Sequence, residues 1–254
     1  MLAEKQSTWL RSASLRVINA LYPPTCMTCP AQVHEHGTLC PDCWRATPFI
    51  FGTCCDLCGV PLPHSGIESA DTAPICDDCL TTARPWEQGR AALLYGERAR
   101  RILLGLKYYD RQDHAPIAAG WLARASAPMI RPDMLLTPVP LAWSRLVKRR
   151  YNQAALLSRL MAKRLTLDHC PDLLIRTRAT GTQDGRGRAG RFANVAGAFA
   201  PHPRRAHLIR DRHILLVDDV MTSGATLAAC AEVLLAAGAA SVRVSVLARV
   251  TRMA

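Results

Sequence analysis

The run Ile214 to Val217 sets four apolar residues in succession and ends on two adjacent acids, Asp218 and Asp219. An uninterrupted apolar run of that length predicts a strand buried on both faces of a parallel sheet, not an alternating, half-exposed one. A short loop of small and hydroxyl residues follows. Leu227 to Ala237 then reads as a helix, closed by Gly238. Strand, loop and helix in that order form the unit of an α/β sheet, and the acids fall at the carboxyl end of the strand, where open sheets bind ligands. Near the start, Leu10, Val17 and Leu21 fall at helical spacing and predict a short amphipathic helix over residues 7–21. That helix could lie on a membrane surface. No stretch of about 18 uncharged apolar residues occurs, so no membrane span is expected. With no export signal visible, the expected location is the cytoplasm.

Composition divides this picture in two. A hydrophobic fraction of 49% over 254 residues is enough for a buried core. The net charge of +12 is unevenly placed. Residues 1–80 hold four Lys/Arg against eight Asp/Glu, whereas residues 141–191 hold twelve Lys/Arg against three Asp. A positive field concentrated in the second half implies anionic partners, either phosphorylated small molecules or nucleic acid.

Nine of the eleven cysteines lie within residues 26–79. They form the CxxC pairs Cys26/Cys29, Cys40/Cys43, Cys55/Cys58 and Cys76/Cys79, with Cys54 left over. Two CxxC turns complete a tetrahedral thiolate shell, so two structural zinc ions are expected. Zinc would stabilise a segment with too few large apolar side chains to fold alone. A disulfide framework needs an oxidising compartment, and a redox CxxC lacks its usual surroundings here. Sequential pairing of the knuckles keeps each loop short. The segment is acidic, which favours scaffolding or protein docking over nucleic-acid binding. Cys170 and Cys230 read as small core residues.

The loop after the acids has its own chemistry. Successive backbone N–H groups through Thr222-Ser223-Gly224-Ala225-Thr226 at a helix N-terminus form a cradle for a phosphate. Gly224 allows close approach, and the hydroxyls can donate further bonds. Carboxylates repel phosphate, so Asp218 and Asp219 suit the diol of a ribose or a metal ion.

The string LLVDDVMTSGAT resembles the phosphoribosyl pyrophosphate (PRPP) signature of type I phosphoribosyltransferases. With the cysteine segment and the stretches YGERARRILLGLKYYDRQD, LLTPVPLAWSRLVKRRYNQAALLSRLMAKRL, RTRATGTQDGRGRAGRFANVAGAF and SVRVSVLARV, nearly the whole chain resembles the ComF family. The resemblance implies a type I phosphoribosyltransferase fold, a parallel sheet flanked by helices, behind a small double zinc ribbon. The expected divisions are an N-terminal helix at 1–24, the ribbon at 25–84 and the transferase domain at 85–254, with 83–86 as a hinge. It makes Asp218 and Asp219 the ribose contacts, and Met221, Thr222, Ser223, Gly224, Ala225 and Thr226 the 5′-phosphate loop. Val139, Pro140 and Leu141 become the pyrophosphate loop, with Arg145, Lys148 and Arg149 beside it and Lys107 reaching the same anion. Arg176 to Arg191 becomes a mobile hood, with Arg178, Thr180, Gln183, Arg191 and Asn194 matching family positions. The hood departs from the family pattern at Gly190, where an acid is expected.

Phosphoribosyl transfer passes through an oxocarbenium-like state, so the implied cofactor is Mg²⁺ with PRPP, and no nucleophilic side chain is required. The family's link to natural transformation adds single-stranded DNA as a possible ligand along 141–191, where Trp143, Tyr151 and Phe192 are interspersed with basic residues. Competence or DNA-processing proteins could dock on the ribbon. A PRPP sensor without turnover is a third reading.

Overall fold

The computed structural model describes residues 22–63, 73–108, 111–143, 146–147, 151–180 and 188–251. The expected N-terminal helix over 7–21 lies outside the described residues. Two short helices, α1 (Pro41–Ala46) and α2 (Asp77–Leu80), carry the second CxxC turn of each knuckle. The main sheet is built from β1 (Gln88–Leu94), β2 (Leu135–Pro138), β3 (Asp168–His169), β6 (His213–Met221) and β7 (Ser241–Arg249). All five are parallel, in the order β1-β7-β6-β2-β3. A separate antiparallel pair joins β4 (Leu174–Arg176) to β5 (Phe199–Pro201).

The apolar run Ile214–Val217 lies in β6 and is buried on both faces, as its lack of alternation predicts. Ile214 and Leu216 face one core with Val242, Val244 and Val246 of β7. That core is roofed by Leu227, Ala228, Ala231 and Leu234 of α7 (Ala225–Ala236). Leu215 and Val217 face the other, beneath α3 (Glu97–Tyr108), α4 (Ala115–Ser126) and α5 (Gln153–Leu165). Helix α6 (Arg188–Val195) lies between β4 and β5, and its end at Val195 packs into the α7 core.

The ribbon is not a detached bead. Residues 48–50 add an antiparallel rung to the free edge of β1: Phe49 pairs with Leu93, Ile50 N donates to Ala92 O (3.0 Å) and Leu94 N to Pro48 O (2.8 Å). Cys55, Cys58 and Cys79 belong to the same apolar core as α7. Segment 83–86, expected as a hinge, is packed instead. Trp86 is buried and its Nε1 donates to Leu57 O (2.6 Å), while the Arg84 guanidinium lies 5.4 Å over the Trp86 ring. A small knuckle with little core of its own satisfies its apolar and polar groups by leaning on the sheet.

Candidate functional site

From β2 the chain crosses by α5 to one edge of the sheet, and from β6 it crosses by α7 towards the other. The carboxyl ends of these neighbouring strands therefore border the crevice at a topological switch point, where open α/β sheets hold ligands. The 139–141 turn and the 218–226 stretch meet there. Val139 N donates to Val217 O (2.9 Å), locking one loop to the other strand. Asn152 caps α5 by accepting from Ala154 N (3.0 Å) and donates Nδ2 to Val139 O (3.0 Å), so one side chain starts the helix and fixes the turn. The Tyr151 hydroxyl donates to Leu106 O at the end of α3.

Strand alternation separates the two acids. Asp219 follows Val217 toward the α3 side and pairs with Lys107, Nζ to Oδ2 2.6 Å. Both side chains are about four-fifths buried, at 21% and 16% exposure. Lys107 is thus brought to the site, and its first partner is a carboxylate. Asp218 accepts from Asp219 N (2.8 Å) and lies on the Cys230 side. Burial first, and the Asp219 carboxylate second, push Asp218 up to about 8. Burial first, and the charge of Asp218 second, raise the Cys230 thiol well above its ordinary range, consistent with an inert core residue.

The loop Met221–Thr226 is held from behind. Gly224 has φ +81° and caps α7, and a Cβ there would stand 2.6 Å from Arg84 Nη1 and 3.3 Å from the Trp86 ring. Both the left-handed backbone and the close approach require glycine. Arg84 Nη1 donates to Ser223 O (2.7 Å). Arg249, 3% exposed at the end of β7, donates Nη1 to Thr222 O (2.5 Å) and Met221 O (3.3 Å). Neither arginine emerges from the sequence as a site residue. The only trace is an arginine closing the apolar run Val246-Leu247-Ala248 in SVRVSVLARV.

In the hood stretch, Arg178 Nη2 donates to Ala196 O (2.7 Å) and Asn194 O (3.1 Å), tying the strand exit to the end of α6. Thr180 is buried and accepts from Arg176, whose guanidinium lies 5.2 Å over Phe199. Arg145, Lys148, Arg149 and Gln183 lie outside the described residues. Arg191 stands on α6.

Each knuckle gathers one sequential cysteine set, Cys26/Cys29/Cys40/Cys43 and Cys55/Cys58/Cys76/Cys79, with all sulfurs of a set within 4.8 Å of one another. Cys29 and Cys40 Sγ are 3.7 Å apart, and Cys58 and Cys76 Sγ 3.6 Å. A tetrahedron with Zn–S of about 2.3 Å has edges of ~3.8 Å, so both sets fit zinc. Arg98 Nη1 donates to Cys43 Sγ (3.4 Å), a further neutralising contact for a thiolate.

A parallel sheet with a glycine-containing loop after a strand that carries Asp218 and Asp219, joined to two four-thiolate knuckles, defines a phosphoribosyltransferase-type domain fused to a zinc ribbon. Residues 139–253 match the phosphoribosyl transferase domain, and residues 17–80 the double zinc ribbon domain. The chain is 31% identical over 234 residues to the DNA utilization protein YhgH of Shigella flexneri, covering 89% of this chain and 97% of that one. It is 32% identical over 235 residues to the Salmonella typhimurium protein of the same name, with the same coverage. Competence protein F of Haemophilus influenzae is 27% identical over 230 residues, covering 88% of this chain and 96% of its own length. The chain therefore belongs to the family of these DNA utilization and competence F proteins, the ComF family. Among solved structures, the B. subtilis glutamine PRPP amidotransferase aligns over 56% of this chain and 30% of its own, at 18% identity and a TM-score of 0.37. No helix among the described residues is long and apolar enough to cross a membrane.

Proposed function

We propose that the crevice binds Mg–PRPP and that the protein is a phosphoribosyltransferase-like member of its family, acting where DNA is taken up or used. The observation that carries this reading is the loop Met221–Thr226, whose carbonyls are held from behind by Arg84 and Arg249 at the switch point of the sheet. A trans peptide sends N–H opposite to C=O, so carbonyls held on the inner side turn the intervening N–H groups of Thr222, Ser223 and Gly224 outward. They would hold the 5′-phosphate at the start of α7. Asp218 and Asp219 would face the ribose hydroxyls. The largely buried pair fits a cation or a diol, because burial leaves Asp218 costly to ionise alone, at about 8. Lys107 would balance the charge of Asp219 through their 2.6 Å ion pair. When bound, magnesium would neutralise charge gathering on the pyrophosphate oxygens. The 139–141 turn would position that pyrophosphate, and the hood expected over Arg176 to Arg191 would exclude water.

The relatives' names connect the reading to DNA, and the family's acceptor could itself be derived from nucleic acid. Calorimetric titration of Mg–PRPP into zinc-loaded protein tests the site. Micromolar binding by the wild type, lost in Asp218→Asn/Asp219→Asn, is expected, and equal binding by both proteins would remove these acids from it. Pyrophosphate release in a screen of acceptors then separates a transferase from a sensor.

A second reading, single-stranded DNA held along 141–191, is favoured by Trp143, which stands 76% exposed in the basic half. Tyr151 is engaged with Leu106 O and Phe192 packs against the core, which leaves Trp143 as the open stacking face of the three. A steep fall of binding with salt, weakened by Trp143→Ala, is the outcome this reading requires.

A further inference from the structure

The second knuckle reaches the loop through two arginines. Arg84, five residues beyond Cys79, lays its guanidinium 5.4 Å over the Trp86 ring and donates Nη1 to Ser223 O at 2.7 Å. Arg249 places Nη2 3.7 Å from Asp78 Oδ2, between Cys76 and Cys79, while its Nη1 holds Met221 O and Thr222 O. Trp86, which supports Arg84, is itself tied to Leu57 O inside the Cys55/Cys58 turn. Three successive loop carbonyls are therefore fixed by side chains whose other ends rest on one knuckle. The first knuckle makes different contacts, with Arg98 and Arg101 of α3 reaching Cys43 Sγ and Thr28 O. It sits on the opposite core.

We infer that Arg84 and Arg249 are positioning residues that couple the Cys55/Cys58/Cys76/Cys79 zinc site to the 5′-phosphate loop, so that occupancy of this site and of the loop reinforce each other. The inference rests on the loop being a phosphate site. Without the folded knuckle behind it, Trp86 loses its tie to Leu57 O, Arg84 loses that support and the carbonyl of Ser223 is free to turn outward, replacing a donor face by an acceptor face that repels phosphate. Because coupling is reciprocal, a phosphate in the loop must also hold the metal more tightly.

The test uses zinc-loaded full chain with two probes, ribose 5-phosphate for the loop and inorganic pyrophosphate for the 139–141 turn, each with magnesium. Arg84→Gln should weaken ribose 5-phosphate on the order of tenfold, since one charge-assisted bond to the loop is removed, and leave pyrophosphate within about twofold. Zinc per chain should stay at the wild-type level, and Arg84→Lys should recover part of the affinity. Equal loss of both ligands would mark a general loss of structure and overturn the inference, as would no loss of either. Zinc release to a chromogenic chelator provides the reciprocal measurement. Ribose 5-phosphate should slow the release of one of the two ions in wild type and of neither in Arg84→Gln, and equal rates with and without ligand would overturn the coupling. If wild type binds pyrophosphate but no ribose 5-phosphate, the phosphate-loop reading itself fails, and this inference with it.

Discussion

Replacing Asp218 by Asn should make the ligand-free protein more stable while removing its ligand. The folded carboxyl keeps its proton up to about 8, whereas an unfolded one releases it above its ordinary 3.8. Folding is therefore opposed progressively as pH rises between those values, and fully above them. At ~1.4 kcal/mol per tenfold change in proton affinity, the undiscounted cost at pH 7 is ~4 kcal/mol. Asp218 borders an open crevice, and solvent screening reduces this to about 2 kcal/mol. Asn keeps an oxygen for the Asp219 N–H and carries no charge, so the cost disappears. For a chain of this size, 2 kcal/mol corresponds to a rise in Tm of ~4–8 °C. Thermal unfolding followed by circular dichroism, in magnesium-free buffer with zinc retained, would read the gap between variant and wild type. The gap should be small at pH 5 and widen by pH 8. A gap that does not grow with pH, or a variant less stable than wild type at pH 8, would refute the claim that desolvation governs this carboxyl.

Gly224→Ala should cost about 1–3 kcal/mol, because it places a Cβ at φ +81° and 2.6 Å from Arg84 Nη1, and it should weaken ribose 5-phosphate as well; a urea midpoint equal to wild type would contradict this. His114, buried and held down to about 4 from its ordinary 6.5, opposes folding as pH falls through that window. Its contribution at pH 5 is about 2 kcal/mol, so the drop in urea midpoint from pH 7 to pH 5 should be smaller in His114→Gln. Stripping both zinc ions should abolish the cooperative thermal transition of the whole chain, since Cys55, Cys58 and Cys79 lie in the main core; a transferase transition that persists unchanged would show that the ribbon stands apart.

The strand at 213–221 and the helix after it were legible because every local signal agreed there: an unbroken apolar run, acids at its end, a glycine and then helical spacing. The cysteine sets were legible because CxxC spacing alone restricts four sulfurs to one tetrahedron, and the structure groups them sequentially. Arg84 and Arg249 were not legible. Each contacts backbone carbonyls more than 25 positions away along the chain, and carbonyls carry no sequence label. The divergence of Asp218 from Asp219 follows from strand alternation once β6 is seen to extend to Met221, past the acids that marked its expected end. Segment 83–86 reads as a linker from its Arg and Pro, but burial of Trp86 against Leu57 overrides that local tendency.

The rung that residues 48–50 add to β1 has a consequence for the life of the chain in a cell. A parallel sheet left with a bare outer strand offers unpaired amides to any passing polypeptide, and such a strand recruits others of its kind. The far edge is protected by its brevity, β3 being only two residues long. The β1 edge, seven residues long, is protected only as long as the neighbouring knuckles stay folded. Scarcity of zinc during synthesis would therefore turn this protein into a template for intermolecular strand addition, and so into a client of chaperones and proteases.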